Sequence, residues 1–165
     1  MSLSSLIWIG LGILALGVTT ASAKTKTFHV ETFIPAKPGL VWKVLTDESR
    51  YKEWNTVLIP LQDEKIELGK KIKYTMTDQN GKESEISINV KSMIKNKELN
   101  QVGGVPFILT FDHKYTLKEV DGGTMLIQDE IDKGIWMWFW DSSWIEPAYK
   151  QTAENLRDLV LKIKE

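Results

Sequence analysis

Residues 33–54 read FIPAKPGLVWKVLTDESRYKEW, and the fold is decided in this stretch. Pro38 suits the first position of a helix, because the N–H that proline lacks would be unpaired there anyway. Three apolar residues then follow at helical spacing and form one stripe: Val41, Val44 and Leu45. The stretch therefore predicts the end of a strand, a short helix that packs on a sheet, and a second helical turn that carries Trp54.

Alternating apolar and polar residues predict a sheet on both sides of this stretch. Asn80-Gly81 and Gly122-Gly123 supply the positive φ angles that tight turns between strands need. From Ile145 onward, apolar residues recur at spacings of three and four, which predicts a long amphipathic helix. The strands are expected at residues 25–34, 62–67, 70–77, 84–94, 97–102, 108–119 and 124–132.

Residues 1–23 contain no charged side chain and include a 13-residue apolar run, Leu6 to Val18. The run is followed by Ala21-Ser22-Ala23, a small-residue pattern typical of signal-peptide cleavage. Lys24 and Lys26 lie after the run rather than before it, an arrangement that the positive-inside tendency holds in the cytoplasm, and it supports a cytoplasm-facing domain as the less favoured alternative. If the segment is not cleaved, its roughly 20 apolar residues just span a bilayer and form an N-terminal membrane anchor. We expect an exported domain, periplasmic or secreted, or one anchored to the membrane through residues 1–23.

Composition excludes several classes of function. The 165 residues suit one domain, and 21 basic against 22 acidic side chains give a net charge of −1, so a nucleic-acid partner is not expected. The chain has no cysteine, and its two histidines lack the spacing of metal ligands. No glycine-rich phosphate loop precedes a helix. Neither a metal nor a cofactor is expected, and no pattern indicates the oligomeric state.

Residues 111–134 read FDHKYTLKEVDGGTMLIQDEIDKG and contain a His-x-aromatic strand, a Gly-Thr turn and a Glu-x-x-x-Gly ending. With the element order over residues 25–165, this chain resembles the START-like SRPBCC superfamily, and the segment resembles its polyketide cyclase/dehydrase branch. The resemblance implies an α+β helix-grip (Bet v 1-like) domain over residues 24–165. In that fold a seven-stranded curved antiparallel sheet wraps around a long C-terminal helix, with two short helices between strands 1 and 2. It also implies a cavity for a lipid, hormone, polyketide or other apolar molecule.

The segment Gly134 to Trp144 is unusually aromatic, with four tryptophans in nine residues. If the segment is extended, Trp136, Trp138 and Trp140 share one face. Two interpretations stay open: a packed pocket wall, which we favour, and a surface that seats the domain on a membrane. We expect the segment to form one rim of the cavity, with at least one tryptophan partly exposed near its mouth.

The first functional hypothesis is a domain that binds or transports an apolar or amphipathic small molecule, lipid-like or polyketide-like, in an internal cavity. An enzyme is the less favoured alternative. Apolar inner faces of the strands and the excess of aromatic residues suit a pocket of this kind. The ligand contacts that we predict are Tyr74, Met76, Ile88, Phe111, His113, Tyr115, Trp136, Trp138, Trp140, Tyr149 and Thr152.

The alternative hypothesis is a cyclase or dehydratase that acts on a carbonyl-rich apolar substrate. His113 shares strand parity with Phe111 and Tyr115, so it faces the interior, where an imidazole can move protons at neutral pH. Tyr115 or Glu130 would orient it, although the direction of Glu130 is not decided by its pattern. The competing interpretation is a purely structural interior histidine. A third possibility, a protein-binding module, requires a solidly packed interior.

Overall fold

The computed structural model describes residues 22–61 and 64–164. The expected signal peptide or anchor therefore lies outside the described residues, apart from Ser22 and Ala23. The strands are β1 Lys24–Ile34, β2 Leu58–Pro60, β3 Lys71–Thr77, β4 Glu83–Ile94, β5 Glu98–Val105, β6 Leu109–Val120 and β7 Gly123–Gly134. The helices are α1 Pro38–Leu45, α2 Tyr51–Trp54 and α3 Ile145–Lys164, with 3₁₀ turns at Glu48–Arg50 and Trp136–Trp138.

All seven strands form one antiparallel sheet in the order β1-β7-β6-β5-β4-β3-β2. The sheet curls into a half-barrel around the long helix α3, and α1 and α2 lie between β1 and β2. The predicted helix-grip fold is confirmed. Within the described residues, no helix combines the length and the apolarity needed to cross a bilayer.

The second strand lies earlier than predicted. It was expected at residues 62–67, but β2 is Leu58–Pro60, and residues 64–67 pair with no strand. The side-chain oxygen of Asn55 accepts hydrogen bonds from the backbone N–H groups of Val57 (3.0 Å) and Leu58 (2.8 Å). These bonds turn the chain from α2 directly into the strand. Pro60 is tolerated because β2 is an edge strand, which does not need every N–H for pairing.

The fifth strand is longer than predicted. Gly103-Gly104 was expected to end it, yet β5 continues to Val105. Gly104 has φ +100°, a conformation that glycine adopts without steric cost, and it stays paired with Thr110 of β6. The ladder therefore reaches the β5–β6 hairpin, which lies at the end of the sheet where β7 also terminates. We call this end, which also carries the β3–β4 turn, the open end of the sheet.

The core is densest away from the open end. Here the buried stripe of α1 and the inner face of α3, including Leu156 and Val160, pack on the concave face of the sheet. The ring of Tyr51 packs at a tilt against those of Trp54 and Tyr74, with ring centroids 4.7 and 6.2 Å away. Toward the open end, the start of α3 and the tryptophan segment cover the sheet less closely, and the cavity described below lies there.

The tryptophan segment is not extended, contrary to the expectation that Trp136, Trp138 and Trp140 share one face. Trp136–Trp138 is a 3₁₀ turn, and the N–H of Trp140 donates to the carbonyl of Trp136 at 3.0 Å. This turn brings Trp136 and Trp140 to the cavity, where Trp144 also lies after the irregular stretch 140–142, while Trp138 does not line the cavity. Lys26 Nζ stabilises this path by donating to the carbonyl of Trp140 (3.1 Å).

Candidate functional site

A cavity of about 220 Å³ lies between the open end of the sheet and the start of α3. Most of its wall is apolar, and the polar groups that reach it come from one β-turn, from β7 and from α3. A depression of about 510 Å³ beside α1 is larger, but it is an open surface groove edged by charged side chains such as Lys43 and Glu48. The cavity is lined by Val57, Leu58, Met76, Asp78, Ile86, Leu109, Phe111, Glu130, Asp132, Trp136, Trp140, Trp144, Ile145 and Tyr149.

A buried hydrogen-bond network borders the cavity. β6 and β7 place His113 directly opposite Glu130, and His113 Nδ1 lies 2.9 Å from Glu130 Oε2. The hydroxyl of Tyr149, on α3, donates to the same carboxylate oxygen at 2.6 Å. Two tyrosine rings pack edge-to-face with the His113 ring. The centroid of the His113 ring lies 4.5 Å from that of Tyr115 and 4.7 Å from that of Tyr149. The network therefore links two strands and the long helix at the inner wall of the cavity.

Asp132 adds a second carboxyl group on the same face of β7. Its side chain is only 2% exposed, and Oδ1 has no hydrogen-bond partner among the described residues. Burial, the neighbouring negative charge of Glu130 and a hydrogen bond shared with Glu130 together raise the pKa of Asp132 to about 8, while Lys26 on β1 acts in the opposite direction. The protonated form of this carboxyl is therefore favoured near neutral pH, and its unpartnered Oδ1 is available for a hydrogen bond with a group in the cavity.

The tyrosines of the site, Tyr149 in the network and Tyr115 beside it, are neutral. Burial raises the pKa of Tyr149 well above its usual value, and the negative charge of Glu130 raises it further. Burial raises the pKa of Tyr115 as well. The site thus combines apolar walls with hydroxyl and carboxyl groups that can hold a polar substituent or pass a proton.

The structure brings some of the predicted contact residues to the cavity and not others. Five line it: Met76, Phe111, Trp136, Trp140 and Tyr149. The remaining six do not, since His113 and Tyr115 lie behind the wall, Tyr74, Ile88 and Thr152 are buried in the core, and Trp138 lies on the outer surface. The strand pattern identified inward-facing residues correctly, but it does not tell how far along the strand the core ends and the cavity begins.

The three residues of the enzymatic alternative are brought together only in part. His113 and Glu130 form a hydrogen bond, and Glu130 also reaches the cavity. Tyr115 contacts the His113 ring by its edge and makes no described hydrogen bond to either residue. The hydroxyl that meets Glu130 belongs to Tyr149 instead. The direction of Glu130, which the sequence left open, is inward.

Sequence reasoning missed Asp132 and Trp144 as cavity residues. Counting every second residue from Leu126 toward Gly134 reaches Asp132, and this inner face is buried throughout. The apolar Met125, Ile127 and Ile131 obscured the signal because they occupy the outer face. Trp144 follows an irregular stretch, residues 140–142, so no periodic pattern in the sequence indicates its direction. The other missed residues are Val57, Leu58, Asp78, Ile86, Leu109 and Ile145.

Residues 35–154 match the family described as Activator of Hsp90 ATPase homolog 1-like protein. The chain belongs to this family. The match spans α1 through the first half of α3 and so includes every strand except β1. Together with the structural relatives, it confirms the START-like SRPBCC resemblance. No curated protein matches the chain. In the described part of this family member, no group of three or more His, Cys, Asp or Glu side chains is placed to hold a metal ion.

Solved structures of the same fold come from varied sources. An uncharacterised protein from Rhizobium leguminosarum has 14% identity and a TM-score of 0.67, with 86% of this chain and 97% of that chain covered. Ara h 8.0201 has 17% identity and a TM-score of 0.59, with 84% and 99% covered. DynU16, from the dynemicin biosynthetic locus, has 18% identity and a TM-score of 0.61, with 82% and 47% covered. At these identities the likeness shows the fold of the family member, and its function is a separate question.

Proposed function

We propose that this chain binds, and in the cell carries, a small apolar or amphipathic molecule in the cavity at the open end of the sheet. One observation carries the proposal: an apolar, tryptophan-lined cavity ends at two buried carboxyl groups, one of which has an oxygen without a partner among the described residues. Pockets that bind small molecules combine apolar walls with a few polar anchors in this way.

The size of the cavity limits the ligand. Its volume of about 220 Å³ is below the roughly 300–1,000 Å³ of pockets that enclose drug-sized molecules. A compact ring system or a short chain fits, whereas a whole phospholipid does not. A longer molecule would leave its remaining part at the mouth, beside Trp136, which is 52% exposed.

The carboxyl groups determine how a ligand is oriented. A buried polar atom without a partner is costly, so a ligand that hydrogen-bonds to Asp132 gains more than one that places hydrocarbon there. We therefore expect a molecule with one polar end, such as a carbonyl or hydroxyl group, directed at Asp132. Its apolar body would contact Phe111 and Trp140.

Native mass spectrometry of the gently purified full chain tests for a co-purified ligand, and titration with 4-phenylbutan-2-one tests the cavity directly. We expect calorimetry to detect binding by the wild type and to detect none by Ile86→Trp, because the larger ring fills the cavity. The matched control is Ile94→Trp on the same strand, since Ile94 is exposed at the opposite end of the sheet. The proposal fails if only the bare mass is seen and no small apolar probe binds, or if both variants bind equally.

The network His113–Glu130–Tyr149 favours a second candidate, acid–base catalysis on a carbonyl substrate. Glu130 and Asp132 both face the cavity, and a carboxyl group with a pKa near 8 suits proton transfer at neutral pH. In deuterium oxide, catalysed exchange at the carbons beside the carbonyl of 4-phenylbutan-2-one should be measurable by NMR and should decrease in Asp132→Asn. The same exchange rate in His113→Gln and in the wild type would argue against a catalytic role for the network.

A further inference from the structure

Seven large apolar side chains are exposed together at the open end of the sheet. Phe107 is 86% exposed and Phe139 is 83% exposed, and they belong to two segments that lie side by side. The N–H groups of Ile135 and Trp136 donate to the carbonyls of Phe107 and Ile108, both at 3.0 Å. We call this surface the apolar rim, and it comprises Val105, Phe107, Ile108, Ile135, Trp136, Trp138 and Phe139.

Core packing does not account for the apolar rim. Met137, in the same segment, is fully buried and does serve the core. In contrast, Trp138 is 56% exposed. Large apolar side chains that are exposed in one contiguous cluster, rather than singly, mark sites of interaction. The rim therefore faces a partner, and its surroundings indicate which kind.

The described chain begins at the rim. Trp138 Nε1 donates to the carbonyl of Ser22 at 3.0 Å, and Lys24 Nζ lies 4.9 Å from the centroid of the Trp138 ring. The sequence before Ser22 contains no charged residue and includes the 13-residue apolar run Leu6 to Val18. A bilayer that takes up this run would meet the domain at the side where Ser22 lies, which is the apolar rim.

The composition of the rim also fits a lipid surface. Tryptophan is enriched where the hydrocarbon of a bilayer meets its headgroups, because the ring is apolar and its N–H is polar. Lys24 and Lys133 lie at the edge of the rim, Lys24 opposite Gly134 in the β1–β7 ladder. Lysines placed so can keep their charge at the headgroups while their alkyl chains lie against apolar surface.

We propose that the apolar rim docks the domain on a lipid bilayer, with Phe107 and Phe139 inserted below the headgroups. This proposal does not depend on whether the cavity binds a ligand. Because Trp136 belongs both to the rim and to the cavity wall, docking would place the mouth of the cavity against the bilayer. A molecule could then pass between membrane and cavity without crossing water.

The chain has no cysteine, so single cysteines can be spin-labelled without removing native ones. We would label Phe107→Cys, Phe139→Cys and, as matched control, Ile94→Cys in the full chain, reconstituted with vesicles of phosphatidylcholine and phosphatidylglycerol at about 3:1. Thermal unfolding confirms that each variant folds. We expect the labels at 107 and 139 to lose collisions with a water-soluble nickel chelate and to gain collisions with oxygen, and the label at 94 to show neither change.

A second variant tests whether the rim itself drives docking. Phe139→Asp places a charge on the rim and should return the label at 107 to water, whereas Ile94→Asp should leave that label in the bilayer. The proposal is overturned if the labels at 107 and 139 collide freely with the nickel chelate in the presence of vesicles. It is equally overturned if they are shielded from both reagents, because the rim is then covered by protein, either a second copy or another segment of this chain.

Discussion

The carboxyl group of Asp132 is buried in the wall of the cavity, where a negative charge is poorly solvated. Glu130 on the same strand repels that charge, and Lys26 on β1 offsets the repulsion only in part. The pKa of about 8 in the folded protein compares with 3.8 for an exposed aspartate. Folding therefore favours the protonated form, and the stability of the protein becomes linked to pH through this one residue.

The sign of this linkage follows from the proton count. Between pH 3.8 and about 8 the folded state holds the proton that the unfolded state releases, so the contribution of Asp132 to stability falls as the pH rises. The fall is at most about 1.4 kcal/mol per pH unit. We expect Asp132→Asn to be more stable than the wild type, by a margin that grows from pH 5 to pH 8 in urea unfolding.

The control for that measurement is Asp121→Asn. Asp121 is exposed in the β6–β7 turn, so its charge remains solvated in the folded protein. Its substitution should shift stability by a similar small amount at every pH. If the wild type and Asp132→Asn show parallel pH dependence, Asp132 does not hold its proton in the folded state.

At the scale of elements, the β5–β6 hairpin and the tryptophan segment are held together by close backbone contact at Gly134. A Cβ atom at this position would collide with the carbonyl oxygen of Ile108. Glycine is thus required at the end of β7 for the approach of a neighbouring backbone. Both walls of the cavity mouth depend on this contact, because Leu109 belongs to β6 and Trp136 follows β7.

We therefore expect Gly134→Ala to lower the free energy of unfolding by about 1–3 kcal/mol, because the backbones must move apart. Hydrogen exchange at the amides of Ile135 and Trp136 should accelerate, since both donate across this contact. Gly39→Ala is a matched control in α1, where the added carbon meets its nearest neighbour at 3.8 Å. That variant should gain about 0.5–1 kcal/mol from helix propensity. Equal stabilities for the two variants would contradict the assigned role of Gly134.

At the scale of the whole molecule, the polar network and the apolar rim occupy opposite sides of one cavity. At the inner wall of the cavity, the hydrogen bonds of Glu130 connect β6, β7 and α3. At the cavity mouth, backbone hydrogen bonds connect the β5–β6 hairpin to the tryptophan segment. The dense core lies at the other end of the half-barrel. The packed core that stabilises the fold and the candidate site thus lie at different ends of the sheet. The open end can therefore remain hollow.

Several features follow from the amino-acid sequence alone. Strand alternation, the turn glycines and the stripes of α1 and α3 predicted seven strands, two short helices and the long helix, because these patterns depend on local geometry. The inward direction of His113 followed in the same way. The expectation of a leader in residues 1–23 also comes from sequence and stays a prediction.

Other features were decided only by tertiary structure. The position of β2 depended on the side chain of Asn55, and the folded path of the tryptophan segment depended on contacts with the distant Phe107 and Lys26. The pairing of Tyr149 with Glu130 joins residues on different elements. The cavity itself is a volume that no element encloses alone. Local patterns tell which face of a strand or helix is buried, but only the packing of distant elements decides whether that face meets another side chain or an empty space.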